Sequence, residues 1–148
     1  MVYIGIDPGK NGGYAILVRP FISTQPMDEK IFVREMHEIS KAYPSENIRC
    51  CLEKVGAMPG QGVTSMFSFG KNAGYIEGVL TALGIRYQLV VPRRWKAEFG
   101  LTGSKADSIE VCRRLFPGVS LRASERCRKD SDGMAEALLM AEFARRKL

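Results

Sequence analysis

Residues 2–18 read VYIGIDPGKNGGYAILV, and this stretch decides the fold. An apolar run from Val2 ends in the carboxylate of Asp7 and is followed by a dense Pro/Gly/Asn turn signal over residues 8–13. A second apolar run, Tyr14 to Val18, comes directly after it. Two short apolar runs separated by turn residues predict a β-hairpin, with Asp7 at the end of its first strand.

The rest of the chain alternates between predicted helices and strands. We predict strands over residues 31–36, 48–52 and 86–91, and helices over residues 64–83, 92–99, 104–115 and 131–146. The strand at 48–52 leads into Glu53, and a loop follows over residues 56–62. Strands first, then alternating helices and strands, predict an α/β three-layer fold.

The predicted helix 64–83 carries three glycines at every fourth position, Gly70, Gly74 and Gly78. Each is roughly 1 kcal/mol less favourable than alanine inside a helix, so a compensating contact is expected. Close packing against the sheet or against a second subunit would supply it, and the sequence leaves both open.

Length and composition predict one globular domain. The chain has 148 residues, of which 45% are hydrophobic and 26% charged, and we expect a single core. It lacks both an apolar run of membrane-spanning length and the charge pattern of a signal peptide. We therefore expect a cytoplasmic protein with no membrane partner.

Cysteine and histidine usage argues against two classes of active site. Four cysteines form no C-x-x-C pair and His37 is the single histidine, so a zinc site is not expected. The single histidine also argues against Ser/His or Cys/His nucleophilic catalysis. Acid, base or metal chemistry therefore falls to carboxylates.

Positive charge is concentrated in one segment. The net charge is +6, and residues 92–129 hold ten Lys/Arg against four acids, whereas the rest of the chain is balanced. Such an excess indicates a face that binds a polyanion, most commonly nucleic acid, although a solvated basic surface is the alternative.

Carboxylates occupy positions that a metal site would use. Asp7 and Glu53 end two predicted strands, while Asp130, Asp132 and Glu136 lie around the start of the last helix. Carboxylates repel at close range, and divalent cations relieve that repulsion. Mg²⁺ prefers oxygen ligands, and a pair of metals suits phosphodiester hydrolysis.

Each acid also has a structural interpretation. Asp7 before Pro-Gly is typical of a turn, and acids at a helix start commonly cap it. Asp132 and Glu136 are one helical turn apart and share a face, which favours joint ligation of one centre.

The ordered combination of these motifs resembles the RuvC-type Holliday junction resolvases of the RNase H-like superfamily, and looks closest to their compact phage-encoded members. The motifs are IGIDPG at 4–9, the strand ending in Glu53, GKNAG at 70–74, VPRRWK at 91–96 and KDSDGMAEALL at 129–139. The resemblance implies one nuclease domain over residues 1–148, with a mixed central sheet flanked by helices. It further implies a homodimer with two Mg²⁺ or Mn²⁺ per active site and no small-molecule cofactor. Such a dimer nicks a four-way DNA junction at two symmetric positions, in the host cytoplasm if phage-encoded.

The resemblance also assigns residues. Asp7, Glu53, Asp132 and Glu136 match the family's carboxylates, with Asp130 as a competing ligand because bacterial members usually space the last two acids three apart rather than four. The aromatic residue that bacterial members carry three positions after the strand glutamate is absent, since Gly56 stands there. Met58, Phe67 and Phe69 are the candidates to substitute for it, although the sequence favours their interpretation as core or loop anchors.

Lysines and arginines complete the implied site. Lys96 and Lys105 resemble the basic residues near the scissile phosphate. The DNA backbone would be held by Arg93, Arg94, Lys96, Lys105, Arg122, Arg126, Arg128 and Lys129, giving a salt-sensitive affinity.

Three alternatives are weighed against a resolvase. The turn over residues 7–13 also resembles the first phosphate loop of actin-like ATPases, but 148 residues lack room for the second lobe that those folds need. A broader fork or flap endonuclease and a noncatalytic DNA-binding module remain open.

Overall fold

The computed structural model describes residues 1–102 and 104–148, and the side chains of Lys105 and Ala106 lie outside that description. The strands are β1 (Val2–Asp7), β2 (Gly13–Val18), β3 (Phe21–Pro26), β4 (Ile48–Glu53) and β5 (Tyr87–Val90). The helices are α1 (Glu29–Ala42), α2 (Val63–Ala82), α3 (Pro92–Glu98), α4 (Lys105–Leu115) and α5 (Asp132–Lys147), with a short 3₁₀ turn at Ser45–Asn47.

The five strands form one mixed sheet in the order β3-β2-β1-β4-β5. Strands β1, β2 and β3 pair antiparallel, whereas β1, β4 and β5 run parallel. Ile6 of β1 is in register with Leu52 of β4, so the next residues along, Asp7 and Glu53, leave the sheet side by side. Parallel pairing thereby brings the two strand-end carboxylates to the same edge.

Helices cover both faces of the sheet and give two cores. Helix α5 lies across β1, β2 and β4, and α3 and α4 pack beside it, with Trp95 and Leu138 fully buried. Helices α1 and α2 cover the opposite face through Phe32, Met36 and Ile76. The predicted three-layer α/β fold with a mixed sheet is confirmed.

Residues 31–36 are not a strand, and that prediction was wrong. They belong to α1, which begins after Asp28, whose carboxylate accepts hydrogen bonds from the N–H groups of Lys30 and Ile31 at 3.0 Å. Phe32, Met36 and Ile39 are buried at helical spacing, so α1 hides one stripe and leaves the rest in solvent. The third strand is instead β3, a half-exposed edge strand with a weak apolar pattern.

The sheet does not supply the close packing expected of the α2 glycines, which leaves the alternative of a second subunit as a prediction. A Cβ built at Gly70, Gly74 or Gly78 would meet nothing within 4 Å. At Gly5 of β1 it would overlap main-chain atoms of Ala137 and Ala141 in α5. Helix α5 therefore rests directly on the backbone of β1.

The first turn of α5 makes a second contact of the same kind. A Cβ at Gly133 would overlap the carbonyl oxygen of Asn11 in the turn between β1 and β2. The two contacts fix the N-terminal part of α5 beside the end of β1. Among the helices of the described residues, none is long and apolar enough to cross a membrane.

Candidate active site

A cavity of about 390 Å³ lies where β1 ends and α5 begins. Three predicted site carboxylates line it, Asp7, Asp132 and Glu136, together with Lys96 from α3. Its remaining wall is the turn between β1 and β2, residues 8–12, and the ring of Phe69. The structure thus brings together residues that are up to 129 positions apart in the chain.

The electrostatics of Asp7 show that a fourth carboxylate, Glu53, belongs to this cluster. The pKa of Asp7 is raised from 3.8 to about 8, mainly by burial and in addition by the charges of Glu53, Glu136 and Asp132. Lys96 acts in the opposite direction and lowers the pKa. An acid with a pKa near 8 carries a proton at neutral pH unless another cation takes the proton's place.

Glu53 is held by a buried indole. Trp95 is fully buried and its Nε1 donates a hydrogen bond to Oε1 of Glu53 at 3.0 Å. Burial raises the pKa of Glu53; the hydrogen bond from Trp95 lowers it and the neighbouring charge of Glu136 raises it, leaving a net rise. The strand-end glutamate is therefore fixed on one oxygen.

Glu136 lies at the centre of a small polar group. The Nζ atom of Lys96 is 3.1 Å from its Oε1, and the hydroxyl of Ser108 donates to the same oxygen at 3.4 Å. The side chain of Glu136 is only 14% exposed. Helices α3 and α4 thus both orient an acid that α5 presents.

The turn after Asp7 is clamped from the opposite face of the sheet. Gly9 has a φ of +115°, a conformation suited to glycine, and its N–H donates to Oδ1 of Asn72 on α2 at 2.8 Å. The amide nitrogen of Asn72 in turn donates to Glu29. This clamp ties the cavity wall to α1 and α2.

The donor set fits a divalent cation in its chemistry. Four carboxylates lie close together, with Lys96 among them and Lys10 in the cavity wall, and hard cations such as Mg²⁺ take oxygen ligands. Within the described part of the chain, no group of three or more Asp, Glu, His or Cys side chains lies in an arrangement that could hold a metal ion. In this conformation, the positive charge beside Glu136 is the Lys96 ammonium.

Asp130 lies outside the carboxylate cavity and pairs with Arg113 of α4. It helps to close the loop of residues 116–131, whose hydrogen bonds include those from Ser131 N–H to Leu121 O and from Thr24 Oγ1 to Ser120 O. The loop's basic side chains are all exposed: Arg122, Arg126, Arg128 and Lys129. A run of exposed basic residues therefore directly precedes the start of α5.

The remaining predicted DNA contacts occupy different surroundings. Arg93 and Arg94 are exposed on α3, and the guanidinium of Arg94 lies 5.6 Å from the ring centroid of Phe143. The side chain of Lys105 is outside the described residues. Lys96 alone among these bases lines the carboxylate cavity in the described structure.

The three apolar candidates for a base-contacting residue also differ. Met58 and Phe67 are 69% and 74% exposed, whereas Phe69 is half-buried against Gly9 and lines the cavity. Sequence reasoning missed the roles of Trp95 and Asn72. For Trp95, the available signal was a single tryptophan next to a predicted site lysine. For Asn72, no signal was present in the sequence.

Comparison with curated proteins finds a relative over part of the chain. No protein-family model matches the chain. The protein "Holliday junction resolvase MOC1, chloroplastic" of Chlamydomonas reinhardtii is 35% identical over 91 residues, which is 59% of this chain. The match spans only 10% of that protein's length.

Two solved structures resemble nearly the whole chain. Thermus thermophilus RuvC matches with a TM-score of 0.55 and 17% identity, covering 99% of this chain and 96% of the other. T. thermophilus RuvC in complex with a Holliday junction substrate matches with a TM-score of 0.60 and 16% identity, covering 95% and 90%. The chain therefore has the fold of RuvC, an RNase H-like three-layer arrangement.

Proposed function

We propose that this chain is a metal-dependent endonuclease that resolves four-way DNA junctions by paired symmetric nicks. The observation that carries the proposal is the meeting of Asp7, Glu53, Asp132 and Glu136 at one sheet edge, with Lys96 among them. The RuvC fold, and the likeness to a chloroplastic Holliday junction resolvase over part of the chain, support four-way junctions as the substrate.

The four carboxylates would hold two Mg²⁺ or Mn²⁺ ions. Bound there, the metals would supply an activated water and charge stabilisation for phosphodiester hydrolysis. Asp7 contributes through its burial, because a carboxyl that is costly to ionise alone gains most from a neighbouring cation. Asp130 is the least suited of the predicted ligands, since Arg113 already neutralises it.

The chain's cations would bind the DNA. Lys96 lines the cavity and is the cation best placed to contact a scissile phosphate. The exposed bases of loop 116–131, together with Arg93 and Arg94, would hold the backbone, and Lys105 stays part of this proposal. Binding to phosphates is sequence-independent and weakens steeply as salt is raised.

Two nicks need two sites. The described part of the chain holds one carboxylate cluster, so paired cleavage calls for a homodimer of single-domain chains. The dimer would act in the cytoplasm, of the host if the chain is phage-encoded.

Cleavage of a labelled four-way junction, with matched linear duplex, Y-fork and flap, tests the proposal. Wild type and Asp7→Asn are compared in Mg²⁺ and Mn²⁺, and binding is measured separately with a chelator. We expect symmetric nicks in the junction that require metal and disappear in the variant, while junction affinity persists.

Two other results would redirect the assignment. Equal cutting of every branched form would make the protein a broad branch nuclease. No cutting by folded wild type in either metal, with tight junction binding, would leave a noncatalytic DNA-binding module.

A further inference from the structure

Trp95 and Glu53 are brought together by a short, well-defined path. Glu53 ends β4 in register with Val90 of β5, and the N–H of Lys54 donates to Val90 O at 2.8 Å. One residue, Val91, then leads into α3, which starts at Pro92. The chain therefore passes from the end of β5 directly into α3, and this places the indole of Trp95 beside Glu53 at the end of the adjacent strand β4.

The buried indole requires an acceptor. Trp95 is fully buried, and its N–H is a donor that cannot accept a bond in return. Leaving a buried donor without a partner is costly, so this bond holds both groups in place. Within the described residues, Glu53 Oε1 is the acceptor.

The bond also leaves the rest of the carboxylate available. Trp95 engages Oε1, and the described residues place no hydrogen-bond donor on Oε2. The rotation of the glutamate is thus restricted without using both of its oxygens. Residues that orient a metal ligand in this way commonly change metal affinity by about 10- to 100-fold when removed.

We propose that Trp95 is a positioning residue that presents Glu53 to the metal, and that it does so through its indole N–H rather than through its packing. This inference rests on the proposed function only in taking Glu53 as a metal ligand. Trp95 contacts neither the substrate nor the reacting atoms in this role; it acts through the glutamate.

The sequence offers an optical test of the same contact. Trp95 is the only tryptophan in the chain, so the indole emission of the protein comes from this one site. Because the emitting ring is hydrogen-bonded to the proposed ligand, cation binding at Glu53 should alter that emission directly.

The decisive variant is Trp95→Phe, which keeps an aromatic ring but lacks the N–H. Calorimetric titration of the DNA-free protein with Mn²⁺ should show at least about tenfold weaker binding than wild type. Cleavage should show a matching rise in the Mn²⁺ midpoint and recover at high Mn²⁺, while junction affinity in chelator stays within about twofold. Phe116→Leu alters the same core without touching Glu53 and serves as the matched control.

Clear results would overturn the inference. A Mn²⁺ affinity of Trp95→Phe within twofold of wild type, or an equal loss in Phe116→Leu, would reduce Trp95 to a packing residue. The expected loss of Mn²⁺ affinity in Trp95→Phe, found together with a wild-type protein that cleaves no junction, would instead reject the proposed function and keep the Trp95 assignment.

A second measurement covers the case in which Trp95→Phe fails to fold. Mg²⁺ added to DNA-free wild type should change the Trp95 emission, and the same titration of Glu53→Gln should not. The amide oxygen of that variant can still accept the indole hydrogen bond, so only the ligand charge is removed. If calorimetry shows that Mg²⁺ has saturated the wild-type protein and the Trp95 emission is still unchanged, the proposal is contradicted.

Discussion

The ammonium nitrogen of Lys96 lies 3.1 Å from Oε1 of Glu136, and this pair joins α3 to α5 inside the carboxylate cavity. The same nitrogen is 5.1 Å from the ring centroid of Trp95. Lys96 also lowers the pKa of Asp7, against the effect of burial and three acids. One lysine therefore offsets part of the repulsion within the cluster.

Removing that lysine should slow cleavage much more than binding. Lys96→Met keeps the aliphatic stem but takes away the cation proposed to contact the scissile phosphate, and we expect a rate loss of about 100-fold or more in single-turnover cleavage. Junction affinity should fall less than tenfold, because the other proposed DNA-binding bases would still hold the backbone. Lys41→Met, in the last turn of α1, is the control. Wild-type cleavage by Lys96→Met would contradict this role.

The raised pKa of Asp7 predicts a pH-dependent stability of the metal-free protein. An acid that is harder to ionise when folded favours the folded state at low pH, and the advantage is lost as pH rises from about 4 to about 8. Each unit of pKa difference corresponds to about 1.4 kcal/mol. Asp7→Asn removes this loss, so its stability relative to wild type should rise by a few kcal/mol over that range.

Thermal unfolding in chelator between pH 4 and pH 8.5 measures this difference. Parallel Tm profiles for wild type and Asp7→Asn would show that Asp7 ionises freely in the folded protein. Mg²⁺ at 100 times its Kd should add about 2.7 kcal/mol to wild type but little to the variant.

Substitutions of Asp132 and Asp130 should have clearly different effects on cleavage. Asp132→Asn removes a residue of the cavity, and we expect cleavage to fall by at least about 100-fold. Asp130→Asn breaks a pair with the largely exposed Arg113, and such pairs are worth about 1 kcal/mol or less, so activity should stay within about fivefold. Equal losses in both variants under saturating Mg²⁺ would return Asp130 to the metal site.

The basic loop should govern the salt dependence of binding. Arg126→Ala combined with Arg128→Ala should lower the slope of log affinity against log salt by about 0.9 for each phosphate that the protein no longer neutralises. Arg86→Ala, which is exposed just before the edge strand β5, should leave the slope unchanged. A slope that is the same in all three proteins would remove the loop from the DNA-binding face.

Two glycine-to-alanine changes should have opposite effects. Gly5→Ala would force main-chain atoms of α5 away from β1, costing about 1–3 kcal/mol or more in urea unfolding. Gly74→Ala meets nothing and improves helix propensity, a gain of up to about 1 kcal/mol. Cleavage should fail in the first variant and persist in the second. Destabilisation by Gly74→Ala would reveal a partner on that face of α2.

The sequence allowed the strand-end and helix-start acids to be predicted because their positions depend on local pattern alone. Asp7 and Glu53 each close a short apolar run, and parallel pairing then aligns them. The α1 error arose because residues 31–36 are too few to distinguish a buried helix stripe from a strand. Only the capping by Asp28 and the continuation to Ile39 reveal the helix.

Contacts between distant elements could not be predicted in the same way. The hydrogen bond from Trp95 to Glu53 depends on the register of β4 with β5 and on the entry into α3. The clamp of Gly9 by Asn72 joins residues 63 positions apart. Neither hydrogen bond produces a periodic pattern in the sequence from which it could be predicted.

The direct contact of α5 with β1 at Gly5 has a consequence for how this protein can change over time. Because main chain meets main chain there, the offset between Asp7 and Glu136 does not depend on which apolar side chains fill the layers around them. Volume-conserving exchanges among the apolar core residues should therefore leave the spacing of the two acids unchanged. The positions that hold α5 against β1 and its following turn, Gly5 and Gly133, leave no room even for a methyl group.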